Sequence, residues 1–191
     1  MNGYLDIHAA LRKVTEALEK ADVPYMVCGS MATTSFGNFR PTQDVDIVID
    51  PTETQLRQFI SGLGEDYYSD MTMALDALAR RSMFNVIDLE LGVKTDLILK
   101  KRRPFSLEEF QRRRPVLISD AKVSAVTAED LILSKLEWCK KGESERQFRD
   151  AATVAWTVFD SLDQDYLRHW ARELDVTELL ERLLAEAQSL Q

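Results

Sequence analysis

The sequence predicts an α/β protein of the α+β type, in which a mixed-sheet core is followed by a helical bundle. Up to residue 126, short apolar strand-like runs alternate with helical patterns. From Thr127 onward, every segment has a helical pattern with short connections. We therefore expect a core over residues 1–126 and a helical C-terminal region over residues 127–191.

The elements of the core follow in chain order from apolar periodicity and turn residues. The expected elements are a helix to about residue 21, a strand at 25–28, a helix at 30–36, a strand at 44–50, helices at 52–63 and 71–81, paired strands at 84–90 and 94–99, a short helix from 106, and strands at 115–119 and 122–126. Ser30 and Ser106 are expected to cap their helices, the latter through a capping box with Glu109.

Four helices are expected after the core, at 128–141, 145–160, 163–173 and 176–189. Thr127 and Asp130 form a variant of the capping box at the start of the first of them. Trp138, Trp156 and Trp170 all fall within these helices, so we expect them in the core rather than as platforms for stacking bases.

Composition excludes several classes of protein. The apolar fraction of 45% and the charged fraction of 29% are typical of a folded soluble chain. No apolar run is long enough to span a bilayer, and the first residues do not have the pattern of a secretory signal. Cys28 and Cys139 have neither metal-ligand spacing nor a disulfide pattern. We therefore expect a cytoplasmic protein with no membrane partner.

Charge is distributed unevenly along the chain. The formal net charge is -8, which argues against a surface covered in nucleic-acid contacts. The segment 100–114, however, has seven basic residues against Glu108 and Glu109, a net charge of +5. The sequence leaves two interpretations open, a solvated loop and helix face or a local patch that contacts phosphate.

A strand, a Gly-Ser turn and a helix start follow one another at Cys28-Gly29-Ser30. Gly29 has no Cβ, so a phosphate can approach its backbone closely. Ser30 adds a hydroxyl donor, and the N–H groups of the following helix point at the same anion. The turn therefore has the outline of a phosphate cradle.

Three aspartates are the candidate catalytic and metal-binding residues. Asp44 and Asp46 lie two apart in a predicted strand, so their side chains point the same way, with Cβ atoms about 7 Å apart. Two carboxylates at that distance repel by about 2 kcal/mol at an effective dielectric constant of about 20, and a cation relieves the repulsion. Mg²⁺ takes such oxygen ligands together with substrate phosphates. Asp96 interrupts a later apolar strand and is the third candidate.

This pattern of Gly29-Ser30, Asp44-x-Asp46 and Asp96 resembles the nucleotidyltransferase superfamily with the polymerase β-type fold. The stretch 40–46 resembles the abortive-infection nucleotidyltransferases of type IV toxin–antitoxin systems and their uncharacterised bacterial relatives. Those proteins carry a Lys on an acidic-apolar helix and, further on, an Arg-Asp pair. Lys135 and the pair Arg149-Asp150 match that arrangement. The resemblance covers residues 24–155, and it implies that the predicted core is a nucleotidyltransferase core.

The resemblance implies transfer of a nucleoside monophosphate from a nucleoside triphosphate (NTP) to an acceptor hydroxyl with Mg²⁺. The acceptor is left open among a tRNA, a protein and a small molecule such as an aminoglycoside. Asp44, Asp46 and Asp96 would bind metal and act in catalysis, while Gly29, Ser30 and Lys135 would bind the triphosphate. The alternative is a non-catalytic toxin–antitoxin or complex subunit that binds a partner such as a cognate antitoxin.

Several of these residues also have purely structural interpretations. Asp44 and Asp46 could alternate on a solvent-facing edge strand, and Asp96 could be an exposed residue paired with a lysine. Lys135 could extend along its helix to water. The other candidates for nucleotide contact, Arg40 and Thr42, could orient Asp44 or a phosphate, or brace their loop without touching a ligand. The position of Asp150, opposite an apolar stripe, predicts an exposed carboxylate.

Overall fold

The computed structural model describes residues 3–37, 42–142 and 144–189. Its strands are β1 (Tyr25–Cys28), β2 (Asp44–Ile49), β3 (Tyr67–Tyr68), β4 (Met83–Asp88), β5 (Val93–Leu99), β6 (Arg114–Ile118) and β7 (Ala121–Ala125). Its helices are α1 (Gly3–Lys20), α2 (Gly29–Thr34), α3 (Glu53–Leu63), α4 (Met71–Arg80), α5 (Pro104–Arg112), α6 (Ala128–Gly142), α7 (Glu145–Thr157), α8 (Gln164–Glu173) and α9 (Thr177–Ser189). In this part of the chain, no helix has the length and apolar character needed to cross a bilayer.

The described strands form one mixed sheet in the order β3-β4-β5-β2-β1-β7-β6. Strand β2 lies near the middle, antiparallel to β1 on one side and parallel to β5 on the other. Strands β4 and β5 are antiparallel partners, as their spacing around Gly92 predicts. The mixed sheet followed by helices confirms the predicted fold class.

The two faces of the sheet are covered by different helices. Val45, Ile47 and Ile49 of β2 are fully buried in a cluster with α1, α3 and α4. The alternate residues of β2 point the other way, and Val48 packs beside the cluster formed by the C-terminal helices. Asp44 and Asp46 share this second face because side chains alternate along a strand.

The C-terminal helices share their hydrophobic cluster with residues of the predicted core. Met26, Phe105 and Phe110 are buried among side chains of α6, α7, α8 and α9. The sheet and the helical region are therefore packed through common apolar side chains. The predicted division into a core over residues 1–126 and a helical region over residues 127–191 stays a prediction.

The structure corrects two predicted helix caps. Helix α2 begins at Gly29, and Cys28 is its N-cap residue without a side-chain hydrogen bond, so Ser30 lies inside the first turn. Helix α5 begins at Pro104, and Ser106 is its third residue. The fixed φ angle of proline favours the first position of a helix, which overrides the capping tendency of Ser106. Instead, Ser106 Oγ accepts a hydrogen bond of 2.9 Å from Arg103 Nε.

The sequence predicts that all three tryptophans lie in the core, but two of them do not. Trp138 and Trp156 are exposed large side chains on α6 and α7. Trp170 is partly buried, and its ring centroid lies 5.4 Å from that of Phe105. The first two therefore correct the prediction, because helical periodicity alone does not fix which face meets the sheet.

Candidate active site

The three candidate aspartates lie together on the sheet face that meets the C-terminal helices. Asp46 of β2 and Asp96 of β5 are direct partners in the register of these parallel strands. Asp44 lies two residues before Asp46 on the same face. The edge-strand interpretation is wrong, because β2 has a partner on both sides.

Gly29 brings the end of β1 directly against Asp46. Its φ angle is +61°, in the left-handed region that glycine adopts without strain. A Cβ atom built on Gly29 would lie 2.0 Å from Asp46 Oδ2 and 2.9 Å from Asp46 Cβ. Only glycine therefore fits where the backbone meets this carboxylate. Ser30 follows it in the first turn of α2.

Thr42 orients Asp44. Its hydroxyl donates a hydrogen bond of 2.9 Å to Asp44 Oδ1 and lies 3.2 Å from the main-chain oxygen of the same residue. This geometry supports the sequence-based hypothesis that Thr42 holds the first aspartate. The other loop candidate, Arg40, lies outside the described residues.

Asp46 is in an environment that disfavours its ionised form. Burial, followed by the negative charges of Asp44 and Asp96, raises its pKa to about 6. The positive charges of Lys94 and Lys135 act in the opposite direction. A cation placed among the three carboxylates would therefore stabilise them all.

Asp96 is buried rather than exposed on its strand, with a relative exposure of 7%. Lys94 Nζ donates a hydrogen bond of 2.7 Å to its Oδ2 atom. Its buried Oδ1 atom has no hydrogen-bond partner within the described residues. The hydrogen bond to Asp96 and the charges of Asp96, Asp44 and Asp46 raise the pKa of Lys94.

Lys135 does not extend to water. It is only 4% exposed, and its Nζ atom lies 3.2 Å from Asp150 Oδ2 and 3.3 Å from Gln147 Oε1. Asp150 is 8% exposed, so the prediction of an exposed carboxylate is wrong. The ion pair joins α6 to α7. The sequence of either helix alone does not show that these two side chains meet. A buried ion pair of this kind holds both side chains in place.

The basic segment 100–114 is partly built into the structure. Arg103 at the start of α5 makes two hydrogen bonds of 2.5 and 2.6 Å to Glu137 of α6. Arg112 at the end of α5 lies 3.2 Å from Asp130 and 3.4 Å from Glu129. These arginines therefore clamp both ends of α5 onto α6. Exposed basic side chains of the segment are Lys101, Arg102 and Arg114.

The sequence predicts Glu109 of α5 only as part of a capping box, but its side chain is buried. Its Oε2 atom accepts a hydrogen bond of 3.1 Å from Ser134 Oγ of α6. Burial raises the pKa of Glu109 to about 7. Phe105 and Phe110 indicate the apolar face of α5, but the sequence does not show that Glu109 is buried with them.

Glu109→Gln is expected to raise the free energy of unfolding at pH 8 by about 3 kcal/mol, by conversion of the pKa difference. The folded-state pKa of about 7 exceeds the ordinary value of 4.5. Wild-type stability should therefore fall as pH rises from about 4.5 to about 7, while glutamine cannot ionise. Urea unfolding at pH 8 and pH 4 measures the difference, which should vanish at pH 4. Glu108→Gln on the same helix is the control, and equal pH profiles for wild type and Glu109→Gln would contradict the prediction.

The carboxylates of the site are oxygen donors of the kind that Mg²⁺ takes. In residues 3–37, 42–142 and 144–189, no three His, Cys, Asp or Glu side chains are grouped so that they could hold a metal ion as they stand. Mg²⁺ in nucleotide enzymes, however, usually takes one or two carboxylates together with substrate phosphates. The buried Asp96 Oδ1 without a partner and the mutual repulsion at Asp46 are the features that a cation would relieve.

Solved structures with a similar fold include two that match over most of both chains. The antibiotic-resistance factor ANT(2'')-Ia, solved in solution, matches with a TM-score of 0.57 and 12% identity, over 91% of this chain and 94% of the other. An antigenic nucleotidyltransferase-like protein from Paracoccidioides brasiliensis matches with a TM-score of 0.55 and 16% identity, over 91% of each chain.

A third structure, JHP933 from Helicobacter pylori, matches with a TM-score of 0.46 and 18% identity, over 96% of this chain and 90% of the other. No protein-family model and no curated protein matches the sequence. At such identities the first two structures are similar to this chain in fold alone. Their agreement with the mixed sheet described above shows that this chain has the nucleotidyltransferase fold.

Proposed function

We propose that this protein is a Mg²⁺-dependent nucleotidyltransferase that moves a nucleoside monophosphate from an NTP to an acceptor hydroxyl. The acceptor oxygen forms a bond to the α-phosphorus while the bond from that phosphorus to the β-phosphate oxygen breaks. Pyrophosphate leaves with the bonding electron pair, and the hydroxyl proton passes to a base. The fold shared with nucleotidyltransferases supports this reaction class.

The observation that carries the proposal is the direct pairing of Asp46 with Asp96 across β2 and β5. Asp44 lies on the same face, and Gly29, the first residue of α2, contacts Asp46. Burial, together with the charges of Asp44 and Asp96, disfavours the ionised form of Asp46. The cluster adds little to the stability of the fold, so we infer that its carboxylates are there to bind a positively charged ligand.

In this proposal Asp44 and Asp46 hold Mg²⁺, and Asp96 either completes the ligand set or accepts the proton of the hydroxyl. When bound, the ion neutralises charge on the phosphates and on the departing pyrophosphate. Thr42 keeps Asp44 in place through its hydroxyl.

The triphosphate would lie along the Gly29-Ser30 turn, next to the Asp46 carboxylate that Gly29 contacts. Arg40 is proposed to contact a phosphate from the loop before β2. Lys135 supplies positive charge that favours the ionised form of Asp46. Because Asp150 and Gln147 hold its ammonium, Lys135 would act electrostatically rather than as a mobile contact.

The acceptor is proposed to be a tRNA, a hydroxyl of a protein or a small molecule. One structural neighbour is an antibiotic-resistance factor, which supports keeping a small-molecule acceptor among the candidates. A cognate antitoxin as a partner rests on the sequence resemblance alone.

Label transfer tests the proposal directly. The purified protein is incubated with each α-³²P-labelled NTP and Mg²⁺ in turn, with total RNA, cell protein or an aminoglycoside as acceptor. We expect Mg²⁺-dependent transfer of label from one NTP to one acceptor class, and none when EDTA replaces Mg²⁺.

Binding separates an inactive site from a missing acceptor. If no acceptor is labelled, equilibrium binding of the four NTPs is measured with and without Mg²⁺. Failure to bind any NTP at millimolar concentration would reject the proposed function. Mg²⁺-dependent binding without transfer would point to an acceptor outside the classes tested.

A further inference from the structure

Lys94 places a positive charge on the carboxylate cluster. It is the register partner of Asp44 in the parallel pair of β2 and β5, and it precedes Asp96 by two residues on β5. Its ammonium lies 2.7 Å from Asp96 Oδ2. The side chain of Lys94 is 44% exposed, whereas that of Asp96 is 9% exposed. A lysine that reaches solvent therefore covers one oxygen of a buried carboxylate.

The other oxygen of the same carboxylate is left without a partner. Asp96 Oδ1 is buried and has no hydrogen bond within the described residues. A buried carboxylate oxygen is costly unless it is bonded. The ammonium of Lys94 thus bonds only the Oδ2 atom of Asp96. The unbonded Oδ1 atom indicates a place for a further cation.

The other lysine near the cluster is committed to a different acid. Lys135 Nζ lies 3.2 Å from Asp150 Oδ2, so much of its charge is balanced within α6 and α7. Lys94, by contrast, has its ammonium directly on a member of the carboxylate cluster. Lys94 is therefore the principal tethered counter-charge that the described residues provide to Asp96.

An ammonium on Asp96 and a divalent cation among the same carboxylates repel each other. A repulsion between like charges a few ångströms apart is strong in a partly buried site. Lysine is a compact charge on a flexible four-carbon stem, and the exposed stem of Lys94 can move towards water. Asp96 has no such freedom, because it is fixed in the middle of a paired strand.

We infer that Lys94 is a tethered counter-ion that competes with the divalent cation for Asp96 and so sets the metal concentration at which the site is filled. This inference rests on the proposed function, because it assumes that the cluster binds a divalent cation. In the metal-free protein Lys94 stabilises the cluster; when metal binds, its ammonium leaves Asp96 Oδ2. Lys94 is in this sense a positioning residue, which acts through Asp96.

Metal affinity without any nucleotide tests the inference. Mn²⁺ takes the same oxygen ligands as Mg²⁺ and can be titrated by electron paramagnetic resonance. We expect Lys94→Met to lower the Kd for Mn²⁺ at least tenfold. Lys94→Arg keeps the charge and should retain the wild-type Kd within threefold. The matched control is Lys122→Met, an exposed lysine on β7 of the same sheet, which should not change the Kd.

Thermal melting supplies a second readout and a check on folding. In EDTA, Lys94→Met should melt below wild type, and excess Mn²⁺ should raise its Tm by more than it raises that of wild type. An unchanged or higher Kd for Lys94→Met, with Lys122→Met behaving as wild type, would overturn the inference alone. Absence of Mn²⁺ binding by both wild type and Lys94→Met would overturn the inference, while Mg²⁺-dependent binding of NTP tests the proposed function separately.

Discussion

Asp46→Asn is expected to reduce nucleotide transfer by about a thousandfold or more, the scale seen when a key electrostatic group is removed from an active site. Asparagine keeps the shape of the side chain beside Gly29 but removes the charge that would hold Mg²⁺ between β2 and β5. The measurement is the rate of α-³²P transfer at saturating NTP. Binding of NTP without metal should change much less than the rate.

The same variant should melt at or above the wild-type temperature when EDTA is present. Burial and the charges of Asp44 and Asp96 disfavour ionised Asp46, so its neutral replacement removes an unfavourable interaction. Asp76→Asn, on the exposed side of α4, is the control for the loss of one negative charge, and its exposed ion pair with Arg80 contributes only about 0.3–0.5 kcal/mol. A clear fall in Tm for Asp46→Asn in EDTA would show that this carboxylate is structural and would count against a metal site.

Gly29→Ala is expected to lower the free energy of unfolding by about 2–5 kcal/mol. About 1–2 kcal/mol comes from a left-handed backbone conformation and about 1–3 kcal/mol from overpacking. The added methyl would lie 2.0 Å from Asp46 Oδ2, so either β1 or the carboxylate must shift. A displacement of about 1 Å at the reacting centre can cost about a hundredfold in rate. Urea unfolding and the transfer assay measure the two effects.

Two other glycines separate the causes of this loss. Gly92 has a φ angle of +66° but open space around its Cβ position, so Gly92→Ala should show the backbone cost alone. Gly62, in helix α3, has open space and an ordinary helical conformation, so Gly62→Ala should be neutral or slightly stabilising. If Gly29→Ala were no worse than Gly92→Ala, the close contact with Asp46 would carry no energetic weight.

Those parts of the site that depend on local geometry were predictable from the sequence. Two aspartates two apart in a strand share a face in any sheet, so the arrangement of Asp44 and Asp46 follows from the strand pattern. The place of Gly29 follows from the apolar run before it. The alignment of Asp46 opposite Asp96 was not predictable, because it depends on which strands are neighbours and on their register.

Contacts between helices were the least predictable feature. Helical periodicity places Lys135 and Asp150 on their own helices but does not show that α6 and α7 bring them together. For the same reason, the sequence did not predict that Trp138 and Trp156 are exposed. The capping errors have a local cause: Ser30 and Ser106 have suitable side chains, but Gly29 and Pro104 begin their helices earlier.

The common apolar cluster of the sheet and the C-terminal helices has a consequence for the protein's modularity. Removing residues after 127 would leave Met26, Phe105 and Phe110 facing water, at about 1.5–3 kcal/mol for each large side chain. The helices after residue 127 therefore cannot be exchanged for unrelated helices without a loss of stability. A chimaera with a different helical half would therefore need new apolar side chains on this face of the sheet as well.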